Sequence, residues 1–235
     1  MQASSSELVE ILKSQRYHLV GSHSAVKQCR WHHETLIHSR PCYKQKFYGI
    51  ETHRCIQMTP TVLYCTMRCR FCWRLQSGDK GLRWDEMAPM KWDEPEMIIE
   101  GCIREKTGIL SGYKGNPNAD PIKLREASAP RHVAISLTGE PMLYPYLSDL
   151  IEGFHKRSFT TFLVSNGTLP EALSKLHEEP TQLYISLCAP EESTFLETCR
   201  PQIPDAWEKL NKTLDLLRSF SSRKVVRLTL VKGLN

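Results

Sequence analysis

The chain runs to 235 residues, 40% of them apolar and 24% charged, a balance that supports one ordinary globular domain and excludes a mainly disordered chain. No window approaches the roughly 18 consecutive apolar residues of a membrane span, and the N-terminus (MQASSSELVEILKSQRY) lacks the apolar core of a secretory signal, so a cytoplasmic protein with no membrane partner is expected. The net charge of +5 hides a split, because residues 1–83 carry 13 Lys+Arg against 5 Asp+Glu while residues 84–235 carry 18 against 21. A basic half of that kind suits a polyanion such as nucleic acid.

Ser4 to Tyr17 reads as a short helix with Leu8, Ile11 and Leu12 on one side. A polar, cysteine-bearing region follows to Met58, and Thr61 to Tyr64 (TVLY) reads as a strand ending directly at Cys65. Asp93 is expected to cap a helix with Pro95 in its first turn, and Ile98, Cys102, Glu105 and Ile109 then fall at near-helical spacing, which makes Cys102 a core residue. Residues 111–131, rich in Gly, Pro, Asn and Lys, read as an exposed loop. After it come His132–Leu137 (strand), Tyr146–Arg157 (helix), Phe159–Val164 (strand), Pro170–His177 (helix), Gln182–Leu187 (strand), Pro204–Phe220 (helix) and Val225–Val231 (strand). Strands alternating with helices imply a parallel sheet, and about five strands fit an open sheet or incomplete barrel better than a closed eight-stranded one. The chain stops just after a strand, so a fragment lacking its C-terminal part is expected.

Nine cysteines are many for such a chain, and six of them crowd into the stretch from Cys29 to Cys72, which points to metal ligation or catalysis rather than cross-links. Cys65, Cys69 and Cys72 form C-x3-C-x2-C, three thiolates with no fourth nearby in the sequence. Structural zinc and ordinary electron-transfer clusters take four protein ligands, so a compact triad favours an iron–sulfur cluster with one iron open to substrate. Cys29, Cys42 and Cys55 repeat the arrangement at equal intervals, C-x12-C-x12-C. Thr138-Gly139-Glu140-Pro141 and Ser165-Asn166-Gly167-Thr168 each follow a strand, where barrel enzymes place functional groups. Glu140 is suited to accept hydrogen bonds from a cofactor ammonium. Cys199 is read as a packing residue, and His32, His33 and His53 as solvated or capping histidines.

The Cys65–Cys72 triad, with Phe71 before its last cysteine, resembles the radical S-adenosylmethionine (SAM) superfamily. The stretch Cys42-Tyr-Lys44-Gln-Lys46 through Cys55 and Cys65 to Cys72-Trp73-Arg74, with Ser136–Pro141, Ser165–Thr168, Arg200-Pro201 and Leu228–Asn235, resembles the tRNA 4-demethylwyosine synthase family. The match runs from about Cys29 to the C-terminus. This resemblance implies an α/β fold, a partial (βα)6 radical-SAM barrel apparently missing its C-terminal part, with residues 1–58 as an N-terminal helix and auxiliary-cluster segment and residues 59–235 as the radical-SAM core. It implies two 4Fe-4S clusters, one on Cys65, Cys69 and Cys72 that binds and cleaves S-adenosyl-L-methionine, and an auxiliary one on Cys29, Cys42 and Cys55.

The implied reaction, of carbon-carbon lyase type, joins two carbons of pyruvate to the N1-methylguanosine beside the anticodon of tRNA-Phe, a step of wyosine synthesis. Lys44 is implied as the Schiff-base residue for pyruvate, with Lys46 as its rival, and Glu140, Ser165 and Asn166 as cofactor contacts. Arg68, Arg70, Trp73 and Arg74 border the cluster loop as candidates to meet RNA, with Trp73 reading equally as a packing residue. The resemblance leads to the expectation of an aspartate after the strand ending Ile185-Ser186-Leu187, where this chain has Cys188. The shorter, archaeal-type layout implies a monomer needing an external electron donor such as flavodoxin or ferredoxin. Two rivals remain at this stage. A zinc-binding, non-catalytic RNA-binding module explains the cysteines and the basic half but neither strand-end motif, and a radical-SAM enzyme with an auxiliary cluster and another substrate would differ in not needing pyruvate.

Overall fold

The computed structural model describes residues 5–76, 79 and 91–235. After helix α1 (Ser5–Ser14) a hairpin of β1 (Tyr17–Val20) and β2 (Ser24–Lys27) leads to two short helices, α2 (Arg30–His38) and α3 (Tyr43–Tyr48), and then to β3 (Cys55–Thr59). Helices α4 (Pro95–Ser111) and α5 (Pro121–Ala127) precede β4 (His132–Ile135), and α6 (Leu147–Lys156), β5 (Thr160–Ser165), α7 (Pro170–Ser174), β6 (Gln182–Ser186), α8 (Glu192–Cys199), α9 (Ala206–Leu216) and β7 (Arg223–Arg227) complete the chain. The strands form one sheet in the order β1 to β7; β1, β2 and β3 pair antiparallel, and β3 through β7 run parallel.

This is the expected α/β half-barrel, with one difference in count. Among the described residues five strands run parallel rather than six, and the antiparallel hairpin occupies the place beside β3. The sheet packs Ile56, Met58, Val133, Ile135, Leu163, Leu183 and Ile185 against the helices on its outer face. Helix α6 closes on it through Leu147, Leu150, Ile151 and Phe154, all buried, each contributing about 1.5–3 kcal/mol. The opposite, inner face carries Cys55, Ala134, Phe162 and Tyr184, with Ile50 and Tyr48 packed on them.

Four local expectations are corrected. Thr61–Tyr64 is a turn, and the strand lies earlier, in Cys55–Thr59. Its alternation of buried Ile56 and Met58 with Gln57 is period-two, and Pro60, without an N–H for the ladder, ends it. Residues 111–131 hold α5, started by Asp120, whose carboxylate accepts from the amides of Ile122 and Lys123 ahead of Pro121. Helix α4 has Glu94 at its N-cap; Asp93 instead accepts from the amide and hydroxyl of Ser22 at 2.7 and 2.9 Å and so holds the hairpin turn. The buried row of α4 runs through Ile98, Cys102, Lys106 and Leu110 rather than through Glu105. Among the described residues no helix is long and apolar enough to cross a membrane.

Candidate active site

The segment after β3 crosses the C-terminal edge of the sheet, and three contacts fix it there. Thr59 Oγ1 donates to the Thr138 carbonyl at 2.6 Å, and the amide of Glu140 donates to the Tyr64 carbonyl at 2.7 Å. Gly139 sits at φ +73°, where an added Cβ would fall 1.9 Å from the Thr61 carbonyl oxygen, so this close approach admits glycine alone. Farther along, the amides of Arg68 and Arg70 donate to carbonyls of Cys199, Arg200 and Thr198, and Gln76 Nε2 reaches the carbonyls of Cys69 and Cys72. The loop is thereby held between the β4 and β5 ends and the C-terminus of α8.

Cys65, Cys69 and Cys72 line one cavity with Gly139, Glu140, Ser165 and Asn166. Glu140 is 1% exposed; its carboxylate accepts from Ser165 Oγ (2.8 Å), the Asn166 amide (2.7 Å) and the Met142 amide (3.1 Å), while burial pushes its pKa up to about 7. Asn166 Nδ2 donates to Thr66 Oγ1 at 2.9 Å and lies 3.8 Å from Cys65 Sγ. The three residues proposed from the strand-end motifs, Glu140, Ser165 and Asn166, therefore meet the three cysteines of the first triad in one cavity. Burial drives the Cys65 thiol far above its ordinary range, as it does the core thiol of Cys102; what fits a cluster is the donor set, three thiols lining one cavity.

The upstream cysteines come from three different elements. Cys29 and Cys42 stand at the N-caps of α2 and α3, and Cys55 opens β3. All three line one cavity, together with His32, Lys44, Thr52, Gln57 and Ala134. The Cys42 amide donates to Thr52 Oγ1 at 3.0 Å, and that hydroxyl donates to Gln45 Oε1 at 2.9 Å, which holds the turn into α3. Burial raises the Cys42 and Cys55 thiols, as at Cys65. Lys44 places its Nζ 4.8 Å from the centre of the Phe162 ring on the inner face, whereas Lys46 is exposed on the other side of α3.

A groove of about 1170 Å³, walled by Arg16, Lys27, Cys29, Arg30, Trp73 and Arg74 among others, shares Cys29 and Gln57 with the upstream cavity and Arg74 with the first, and among the described residues its lining holds no carboxylate. Trp73 is 72% exposed, with the Arg74 guanidinium stacked 3.8 Å from its ring and Lys27 Nζ at 5.4 Å. Arg68 and Arg70 instead pair with Asp79 and Glu197 at 3.1 and 2.5 Å.

Three features escaped the sequence reading. Cys199 and Cys188 line the same cavity as the first triad, so two further thiols do stand near the Cys65–Cys72 loop. His32 and His53 are buried and internally bonded rather than solvated, His32 Nε2 lying 3.0 Å from the His53 carbonyl and His53 Nε2 2.7 Å from Glu126. Lys106 is buried behind Cys55, donating to its carbonyl at 3.0 Å; burial brings its ammonium down to about 7. Its signal was a lysine standing in the apolar row of α4.

Residues 59–235 match the model of the Radical SAM superfamily. An S-adenosyl-L-methionine-dependent tRNA 4-demethylwyosine synthase of Pyrococcus abyssi is 51% identical over 232 residues, 97% of this chain and 67% of the relative. Its counterpart in Methanocaldococcus jannaschii is 46% identical over 230 residues, 97% of this chain and 72% of the relative. Among solved structures, that of TYW1 with a lysine–pyruvate adduct bound superposes with a TM-score of 0.88 at 44% identity, covering 100% of this chain and 74% of the other. With this family match over residues 59–235, these identities over nearly the whole chain and this superposition, the chain belongs to the radical SAM superfamily and, within it, to the tRNA 4-demethylwyosine synthase family.

Proposed function

We propose that this chain makes 4-demethylwyosine in tRNA-Phe, joining two carbons of pyruvate to N1-methylguanosine beside the anticodon. The observation that carries the reading is the pair of three-cysteine cavities on one half-barrel, the upstream one holding Lys44, in a chain 44% identical to a structure that contains a lysine–pyruvate adduct. Cys65, Cys69 and Cys72 would hold a 4Fe-4S cluster and Cys29, Cys42 and Cys55 a second; when bound, the first supplies an electron that cleaves S-adenosyl-L-methionine to a carbon radical. Glu140, with Ser165 and Asn166 fixing its carboxylate, is the acceptor for the cofactor ammonium.

Lys44 is the nucleophile towards pyruvate. Its amine attacks the ketone carbon, a C–N bond forms, and the ketone oxygen leaves as water to give a Schiff base. Phe162, Ala134 and Ile50 line this part of the inner face and limit the access of bulk water. The transfer breaks the bond between the pyruvate carboxylate and its ketone carbon, the carboxylate carbon leaving as a one-carbon product while the other two remain on the nucleotide, which makes the activity a carbon-carbon lyase. The basic groove is the path for the anticodon loop, whose unpaired bases can be splayed and stacked, with Trp73 as a stacking surface. Its lining shares Cys29 and Gln57 with the upstream cavity and Arg74 with the first, which puts the RNA path alongside the site. The protein works as a cytoplasmic monomer supplied by an external donor of the flavodoxin or ferredoxin class.

The test is iron analysis and product detection on anaerobically reconstituted protein. About eight irons per chain, falling to about four in the Cys65→Ala/Cys69→Ala/Cys72→Ala variant, and a pyruvate-dependent tricyclic nucleoside are expected. Zinc in place of iron, or a product that forms equally without pyruvate, overturns the reading.

A further inference from the structure

Lys106 lies in the interior of the fold, 4% exposed, in the middle of the row by which α4 packs against the sheet. Its Nζ donates to the Cys55 carbonyl at 3.0 Å and to the His53 carbonyl at 3.5 Å and touches His32 Nε2. Among the described residues no carboxylate lies within salt-bridge distance of it. A small cavity separates it from the upstream thiols, lined by Cys29, His32, Cys55, Gln57 and Lys106 itself.

A buried ammonium without an anion costs several kcal/mol, and two carbonyls and an imidazole offset only part of that. Leu or Met at this place in the row would pack against the same neighbours without the cost. The groups near Lys106 that can carry negative charge are Cys29 and Cys55. Three thiolates on a 4Fe-4S cluster leave it net negative, and more so after it accepts an electron. Lys44 approaches the same triad from the opposite side, off the inner face, so the two lysines are not interchangeable.

We propose that Lys106 is a positioning residue of the upstream centre: its ammonium ties the Cys55 and His53 carbonyls together and supplies the buried positive charge that offsets the cluster held by Cys29, Cys42 and Cys55. The inference rests on the reading of those cysteines as cluster ligands. It assigns the lysine no contact with pyruvate or RNA. Its consequence is electrostatic, because an ammonium beside a cluster favours the reduced state, and the cluster's negative charge in turn favours the ammonium over the neutral amine that burial alone promotes.

The experiment uses the Cys65→Ala/Cys69→Ala/Cys72→Ala background, in which the upstream cluster is observed alone. Iron per chain and the reduced-to-oxidised ratio are read by electron paramagnetic resonance at fixed potential, with Lys106→Met, Lys106→Gln and Lys106→Arg added in turn. The background is expected to keep about four irons. Lys106→Met and Lys106→Gln are expected to lower the ratio at least tenfold, about 59 mV for one electron, and Lys106→Arg to stay within threefold. Lys106→Gln keeps a donor for the carbonyls, so it separates charge from hydrogen bonding and stands in if Lys106→Met does not fold, as checked by near-ultraviolet circular dichroism. An unchanged ratio in a folded Lys106→Gln overturns the inference alone, whereas a background that binds no iron overturns the cluster reading beneath it.

Discussion

Two residues apart in the sequence, Lys44 and Lys46 are equally good amines, and the helix separates them. One lines the upstream cavity against Phe162 and the other is exposed. Borohydride reduction in the presence of pyruvate is expected to trap a covalent adduct on the parent chain and on Lys46→Met, and none on Lys44→Met, with activity in the last falling at least 100-fold; peptide mass spectrometry reads the site. An adduct on Lys46 would reverse the assignment. Glu140 shows the same logic from the other side, since its type and spacing announced an acceptor, but its three internal donors became visible only in the fold.

At the scale of elements, the strand ends hold the site and are themselves held by polar contacts. His132 opens β4, where Nδ1 meets Thr160 Oγ1 of β5 at 2.7 Å and Nε2 accepts from the Glu51 amide at 3.3 Å, beside the carbonyl-rich turn that leads to Cys55. Burial, outweighing the opposing pull of Glu51, lowers its pKa to about 4. The unfolded chain binds this proton near pH 6.5, so the folded state gains from the neutral ring above that pH and loses the gain as pH falls towards 4. Urea titrations at pH 7.5 and 4.5 are expected to show the parent losing more stability than His132→Gln, by on the order of 2 kcal/mol once screening at the sheet edge is allowed for. Equal losses would assign the pH dependence to other histidines such as His23 and His32, whose burial acts in the same direction.

For the whole molecule, the uneven charge becomes a surface. Arg16, Lys27 and Arg74 come from the α1–β1 turn, β2 and the cluster loop, and they converge on one groove with Trp73. Replacing Arg16, Lys27 and Arg74 with alanine is expected to weaken binding of an anticodon stem-loop. It should also flatten the dependence of log affinity on log salt by about 0.7 for each cation that meets a single-stranded phosphate. Filter binding at several salt concentrations checks this. A uniform loss with an unchanged slope would place the RNA elsewhere.

Some of this was determined by sequence alone. The parallel α/β plan was legible because buried strands such as HVAI and TTFLVS are apolar runs between amphipathic helices, and the two cysteine triads because ligand number is countable. The β1–β2 hairpin, α2, α3 and α5 were not, since four-residue strands and six- to nine-residue helices stabilised by tertiary contacts carry too little periodicity to declare themselves. Which residues share a cavity was decided by tertiary structure. Cys29, Cys42 and Cys55 meet because two helix starts and a strand start converge, Cys199 shares a cavity with Cys69 because α8 ends beside the Cys65–Cys72 loop, and Lys106 faces Cys55 because α4 packs on β3. Spacing along a chain fixes proximity within a turn or a strand, whereas proximity between elements follows from which faces are buried together.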